Sequence, residues 1–384
     1  MPPRSSTDLE VHVLTRTEQL QELVPQWEAL ARACGATVFH SPAWSLAWWQ
    51  AFGSSGHLRV FTVRSGGHLL GLAAFCLEAS RARVRRLKTL GSPQADYGGV
   101  LALPGTEQAL GHALAERLYA DPSWDVLWLA EVPEECRASR SLVEALGARG
   151  CRVQQRSGWC HRIPLPGSWE EYLGLLGRAT RKRLLQKARR LVELGAEAQP
   201  VRGVGGMEAF IALHTAQWVR RGQRGAFADG PSARFHVALA GALERLGHLD
   251  AWFLTLDGTP QAAVYDLRFG RSVYSYLSAV NPDGLLHLSP GMVLTLWRIR
   301  AAIQDGYAWY DLLRGDEAYK RTLGARPYRN TTYLVAHRGR WRAWWYLALE
   351  PLREILLRRE RASRGQTAGA LPPREAPGGP EAGG

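Results

Sequence analysis

The segment Tyr310-Asp311-Leu312-Leu313-Arg314-Gly315-Asp316-Glu317-Ala318-Tyr319-Lys320-Arg321-Thr322-Leu323-Gly324 gathers the residue types best suited to chemistry in this chain. It reads as the end of a buried strand, a charged turn, and a helix from about Glu317 to Leu323 that carries Tyr319 and Lys320. Asp316 is a suitable N-cap and Gly324 a suitable C′ residue. Strand ends that feed helix starts are where α/β proteins place reacting groups. Lys320 is one of four lysines, with Lys88, Lys182 and Lys187, among 48 Lys and Arg residues. An ammonium is a compact charge whose pKa burial can move, which a guanidinium is not. Lys320 either acts on a substrate or sits on a solvated helix face; spacing alone leaves both open.

A second constellation lies one strand upstream. In His287-Leu288-Ser289-Pro290-Gly291-Met292-Val293, Ser289 reads as an N-cap and Pro290 as the first helical residue. Gly291 has no side chain to block an approaching ligand. The free N–H groups of Gly291, Met292 and Val293 then make an anion site suited to a pyrophosphate. His287 precedes it and is either a base or a surface histidine.

The elements that must hold these residues form two α/β halves. The first opens with a strand at Val11–Leu14 and a helix from about Glu18 to Cys34, with apolar residues at helical spacing. A helix from Ala43 to Phe52 follows, capped by Ser41 with Pro42 at its start. Strands at Leu58–Val63, Leu69–Leu77, Val84–Thr89 and Gly98–Leu103 come next, with Asp96 and Tyr97 between the last two. A helix from Glu107 to Tyr119 and a buried strand at Val126–Leu129 close the half. The second opens on Ser168 and Glu171, a capping box. The helix behind them runs to Gly195 and carries Arg178, Arg181, Lys182, Arg183, Lys187, Arg189 and Arg190. That basic face is either solvated or holds an anion such as a nucleotide-sugar or tRNA. Helices from Met207 and Phe235, a hairpin over Leu249–Leu267, the strand Val273–Val280, the Ser289 helix to Gln304 and the strand Tyr307–Leu313 complete it. Trp341–Arg361 reads as a basic, aromatic, amphipathic helix, suited to packing on a domain or to weak contact with a membrane surface. Residues 362–384 have the composition of a disordered tail.

The 384 residues carry a formal charge of +13, with 46% hydrophobic and 22% charged residues, which are globular values. No apolar run is long enough to span a bilayer, and the N-terminus lacks the apolar stretch of a secretion signal, so a cytoplasmic location is expected. The cysteines, Cys34, Cys76, Cys136, Cys151 and Cys160, are scattered without metal spacing, and no metal is expected.

From about Trp169 to Gly324 the chain resembles GNAT-superfamily acetyltransferases of the cellulose-biosynthesis-associated type, relatives of the Fem-type peptidoglycan aminoacyltransferases. Leu288–Leu294, Gly306 and Tyr310–Lys320 carry the resemblance, and Phe39-His40-Ser41-Pro42-Ala43-Trp44 with Asp96-Tyr97 extend it into the first half. It implies an α/β (α+β) chain of two tandem GNAT-like domains, each a mixed, mostly antiparallel sheet flanked by helices. The expected domains are 9–165, a catalytic 166–335, a C-terminal helix over 336–361 and the tail.

The activity implied is acyl transfer from acyl-CoA, acetyl-CoA included, to an amine or hydroxyl of a small or saccharide-linked acceptor in polysaccharide biosynthesis. Ser289, Gly291, Met292 and Val293 would hold the pyrophosphate. This loop departs from the usual Gln/Arg-x-x-Gly-x-Gly/Ala pattern, so the donor comes from the family and not from a motif. Lys320 would steady an oxyanion or hold a substrate anion, Tyr319 would protonate the leaving thiolate, and Asp311 would act as a base or an orienting group. Asp96, Tyr97, Arg314 and Asp316 would face the acceptor. Two alternatives remain: a Fem-like transferase using aminoacyl-tRNA on a cell-wall precursor, and a GNAT fold that only binds a partner.

Overall fold

Leu20, Leu23, Trp27, Leu30 and Ala31 recur at helical spacing, and all five are buried on α1 (Thr17–Ala33) in the computed structural model, which describes residues 9–80 and 83–350. Ser41 caps α2 (Pro42–Phe52) as its position predicts, its hydroxyl accepting from Trp44 N at 3.2 Å. The described residues cluster into two units, 9–158 with 329–350, and 159–328.

In the first unit, β1 (Glu10–Leu14), β2 (His57–Ser65), β3 (His68–Ala79), β4 (Arg85–Thr89) and β6 (Val126–Pro133) lie side by side in that order, with the short β5 (Leu101–Ala102) against β3. Residues 330–336 pair antiparallel with β6 on its other side. Only β4 and β6 run parallel. Helices α3 (Glu107–Tyr119) and α4 (Arg137–Ala148) bury Leu114, Leu142 and Leu146 against Phe61, Phe75 and Trp124.

The chain enters the second unit within β7 (Arg152–Pro164). There follow α5 (Trp169–Leu175), α6 (Arg178–Glu193), β8 (Glu197–Pro200), α7 (Gly203–Arg220), α8 (Gly230–Arg245), β9 (Leu249–Leu256), β10 (Thr259–Phe269), β11 (Ser272–Val280), α9 (Pro290–Gln304), β12 (Trp309–Arg314) and α10 (Ala318–Thr322); β13 (Arg326–Ala336) leads back. The strand order is β7-β12-β11-β10-β9-β8, and only β11 and β12 are parallel. One part of the core gathers Val293 and Leu294 of α9 with Leu254, Ala262 and Val264, and another gathers Met292, Leu296 and Ile299 with Tyr310 and Leu312. Each unit is thus a mixed, mostly antiparallel sheet flanked by helices.

Several elements differ from expectation. The single helix behind Ser168 is two, because Leu176 is extended (φ −83°, ψ 140°) and Gly177 starts α6 afresh. The strand expected over Gly98–Leu103 is only β5. The spacing of apolar residues did not announce α4, β7, β8 or β13. A helix over 341–350 packs Ala343, Tyr346 and Leu347 on Val84, Val126 and Leu334. The expected start of that helix at 336 is corrected, since Ala336 ends β13 and 337–340 form a turn; its remainder over 351–361 and the 362–384 tail lie outside the described residues. Among the described residues no helix is long and apolar enough to cross a membrane.

A parallel pair that parts leaves backbone groups without ladder partners, and these need others. In the first unit β4 and β6 part after Lys88 and Trp128. Thr89 fills the gap: its hydroxyl donates to Trp128 O at 3.4 Å and accepts from Ala130 N at 3.1 Å. Gly98 N then donates to Glu131 O at 2.9 Å. A Cβ on Gly98 would stand 2.4 Å from Ala130 O, so only glycine fits. Thr89→Val keeps the shape but strands the buried Ala130 N–H, and should lower stability by about 1–3 kcal/mol in urea unfolding.

Candidate active site

The corresponding pair in the second unit is propped open by side chains. β11 and β12 pair at Ser272–Trp309, Val273–Tyr310 and Tyr274–Asp311 and then part. Beyond the parting, Val280 of β11 gives its N–H to Oε1 of the buried Gln217 on α7, at 2.8 Å, instead of to a strand. On β12 the register against β7 slips between Asp311 and Arg314, and Leu313 takes a left-handed conformation (φ 61°). That conformation disfavours a leucine by about 1–2 kcal/mol, so the surroundings must hold it.

They do so through Asp311 and Lys320. Asp311 Oδ1 accepts from Leu313 N at 2.8 Å, and its Oδ2 accepts from Tyr328 OH at 2.8 Å. Lys320 is fully buried. Its ammonium donates to the carbonyls of Leu313 (3.2 Å), Arg314 and Gly315 (3.3 Å) and pairs with Glu317 Oε2 at 2.9 Å. The reading of Lys320 as a solvated surface residue is therefore corrected: it ties down three successive carbonyls where β12 ends. Gly315 (φ 109°) also takes the N–H of His161 Nδ1 at 2.8 Å and donates to Trp159 O at 2.9 Å. Burial pushes the His161 pKa below its ordinary value.

The helix start differs from expectation by one residue. Glu317, not Asp316, occupies the N-cap position of α10. Asp316 instead lies 3.2 Å from His161 Nε2 and 3.0 Å from Arg321 Nη1. Tyr319 is half-buried against the cluster of Tyr310 and Ile163, and Arg314 is half-exposed. His161, Gln217 and Tyr328 escaped sequence reasoning, because each is a single polar residue with no motif around it.

At the start of α9, Ser289 does not cap as expected. It is left-handed (φ 49°), and its hydroxyl accepts from Lys187 Nζ at 2.8 Å. Val293 N–H is spent on Ser289 O at 3.1 Å, so the expected trio of free N–H groups reduces to Gly291 and Met292. Lys187 comes from α6, whose Arg183, Gln186, Arg189 and Arg190 line a cleft of about 630 Å³ with Leu288. Burial and the neighbouring Arg183 lower the Lys187 pKa. Glu193 offsets part of this charge by pairing with Arg189 and Arg190. His287 is exposed. Asp96 and Tyr97, expected at the acceptor, are buried inside the first unit, with Tyr97 edge-on to Phe39 at 5.7 Å. Among the described residues no group of three or more His, Cys, Asp or Glu could hold a metal.

Residues 178–321 match the family model described as acetyltransferase (GNAT) domain. No curated protein matches the chain in sequence. Solved structures share the fold. One, described as FemX, is 12% identical, with 84% of this chain and 96% of that one covered at a TM-score of 0.62. The C-terminal domain of a putative lysylphosphatidylglycerol synthetase from Agrobacterium fabrum is 11% identical, with 85% and 95% covered at 0.52. L-PGS from Bacillus licheniformis is 12% identical, with 89% and 97% covered, also at 0.52. The GNAT match spans α6 to α10, the stretch that contains the parted strands and the α9 start.

Behind the opening lies a buried polar network. Asp250 receives Arg298 Nη2 on both oxygens, at 2.7 and 2.9 Å, and Arg268 at 3.1 Å. Tyr310 OH donates to Asp266 Oδ2. Burial, and then the charge of Asp250, raise the Asp266 pKa from 3.8 to about 7.

Two outcomes follow for this site. Lys320→Met leaves buried carbonyls and Glu317 without their cation, and should lower stability by about 3 kcal/mol or more in urea unfolding. An exposed lysine would change it by less than about 0.5 kcal/mol. For Asp266, the folded state keeps a proton that the unfolded state loses between pH 3.8 and about 7, so this group lowers stability as pH rises through that window. Asp266→Asn removes the effect, and its stability relative to the parent should improve from the acid to the alkaline side of the window in pH-resolved unfolding.

Proposed function

We propose that the second unit transfers an acyl group from a coenzyme A thioester to an amine or hydroxyl of a small or saccharide-linked acceptor. The observation that carries this reading is the parting of β11 from β12, with its unpaired backbone groups taken up by side chains and a cationic helix start nearby. In the first unit the same parting is filled by the chain itself. The thioester arm would lie along the opening, and its pyrophosphate would meet the N–H groups of Gly291 and Met292 and the ammonium of Lys187. Ser289 would place that ammonium, and Val293 would fix the helix turn behind it.

In the reaction, the acceptor's amine or hydroxyl attacks the thioester carbonyl and gives up a proton to solvent, the C–S bond breaks as the tetrahedral intermediate collapses, and the thiolate leaves. Tyr319 would protonate that thiolate. Asp311 and Lys320 would act by setting the end of β12: Asp311 orients Leu313 N–H, and Lys320 holds the carbonyls beside it. Arg314 and Asp316, at the same strand end, would meet the acceptor. Asp96 and Tyr97, buried in the first unit, would only fix packing there. The resemblance to the cellulose-biosynthesis-associated type supports a saccharide-linked acceptor and a cytoplasmic setting.

The basic face of α6 also favours a second reading, an aminoacyl-tRNA donor. Calorimetry separates the two. Acetyl-CoA or a longer acyl-CoA should bind, and at about 100 times its dissociation constant should stabilise the fold by about 2.7 kcal/mol. Lys187→Ala should weaken that binding by roughly tenfold or more, the loss of one charge-assisted bond to phosphate. No heat with any acyl-CoA, together with binding of charged tRNA, would select the second reading.

A further inference from the structure

The helix over 341–350 turns an unusual face to solvent. Ala343, Tyr346 and Leu347 are buried on the first unit, yet Trp341 is 66% exposed, Trp345 62%, Trp344 43% and Leu349 42%. Trp341, Trp345 and Leu349 are spaced by four residues and so share one stripe. Three exposed tryptophans on one short helix are not needed for packing. A groove of about 350 Å³ runs beside the stripe, lined also by Arg83 and Val84. The Arg342 guanidinium lies 5.4 Å from the centre of the Trp341 ring. Arg83, Arg338 and Arg342 are all exposed.

We propose that this face docks on an anionic lipid surface. Tryptophan has an apolar ring and a polar N–H, and it concentrates at the level of lipid headgroups. Arginines around such rings meet anionic headgroups, which attract juxtaposed basic residues. In composition, the sequence from 351 to 361 is likewise apolar and basic, with Leu352, Ile355, Leu356 and Leu357 among Arg353, Arg358, Arg359 and Arg361, and with Glu354 and Glu360. Two other occupants fit less well. A second copy would bring the same cationic rim, on a chain of formal charge +13, against itself. The chain's own residues 362–384 contain no aromatic residue and one leucine, Leu371, too little apolar surface to cover three indoles.

The test is co-sedimentation of the full chain with vesicles of phosphatidylcholine alone and of equal parts phosphatidylcholine and phosphatidylglycerol. The parent should sediment with the anionic vesicles, and raised salt should release it, because surface attraction is screened over about 10 Å at 0.1 M. The double variant Trp341→Ser with Trp345→Ser should lose roughly tenfold or more of that partition, in keeping with the loss of buried apolar area. Its thermal midpoint should match the parent, since both side chains are exposed. Arg342→Glu should weaken binding to the anionic vesicles without changing the fold. The proposal is overturned if the parent stays in the supernatant, or if the variants sediment as the parent does. It is also overturned if the parent dimerises through this face in analytical ultracentrifugation, or if it binds single-stranded nucleic acid in preference to vesicles.

Discussion

A strand that leaves its parallel neighbour takes its N–H and C=O groups out of the ladder, and inside a protein those groups must find other partners. The chain meets this demand twice and answers it differently. At the end of β4 the answer is local and self-contained: one threonine hydroxyl and the backbone at Gly98 take up the loose groups. Where β11 and β12 part it draws on β7, α7, α10 and β13: Gln217 meets β11, and His161, Lys320 and Tyr328 meet the end of β12. Side chains from four elements take up the groups that the two strands leave unpaired. That difference is what supports the proposal that any chemistry lies in the second unit.

Burial also fixes what each charge can do. The Lys320 ammonium touches three carbonyls and a carboxylate, so its charge is used within the fold, and its influence on a substrate passes through the backbone it holds. Lys187 is different. Its one hydrogen-bond contact is a serine hydroxyl at the start of α9, which leaves most of its charge directed at whatever meets that helix end. Loss of Lys320 should therefore act first on folding, while Lys187 carries no such burden in the fold.

Much of the fold was legible because apolar spacing reports burial directly. Leu20 to Ala31 defined α1, Ser41 and Pro42 fixed the start of α2, and α3 begins and ends where its sequence predicts. The strands β9 to β11 followed from alternation across glycine turns. What was not legible depended on partners distant in sequence. β7 exposes most of its first residues, and β13 alternates weakly, so neither has the apolar signature of a strand; each is defined by the neighbours it pairs with. Within the site, the segment around Asp311 and Lys320 stood out from composition, but its geometry did not. A lysine three residues after Glu317 looks like any helical ion pair, and nothing in the sequence says that the chain folds its carbonyls around it. Ser289 shows the same limit: Ser-Pro-Gly announces a helix start, but not that Ser289 closes the preceding 3-10 turn in a left-handed conformation or bonds Lys187 of α6.

The bond between Val280 and Gln217 has a dynamic consequence. A ladder bond between strands breaks only when the strands move apart, which requires part of the sheet to open. A bond from a strand to a side chain breaks when that side chain rotates. Side-chain rotation is a faster and smaller event than local unfolding, separated from it by orders of magnitude in time. Val280 N–H can therefore lose and regain its partner while the sheet stays intact. The strand keeps its register through such an exchange, so the end of β11 can loosen and re-form at one point while the rest of the sheet stays paired.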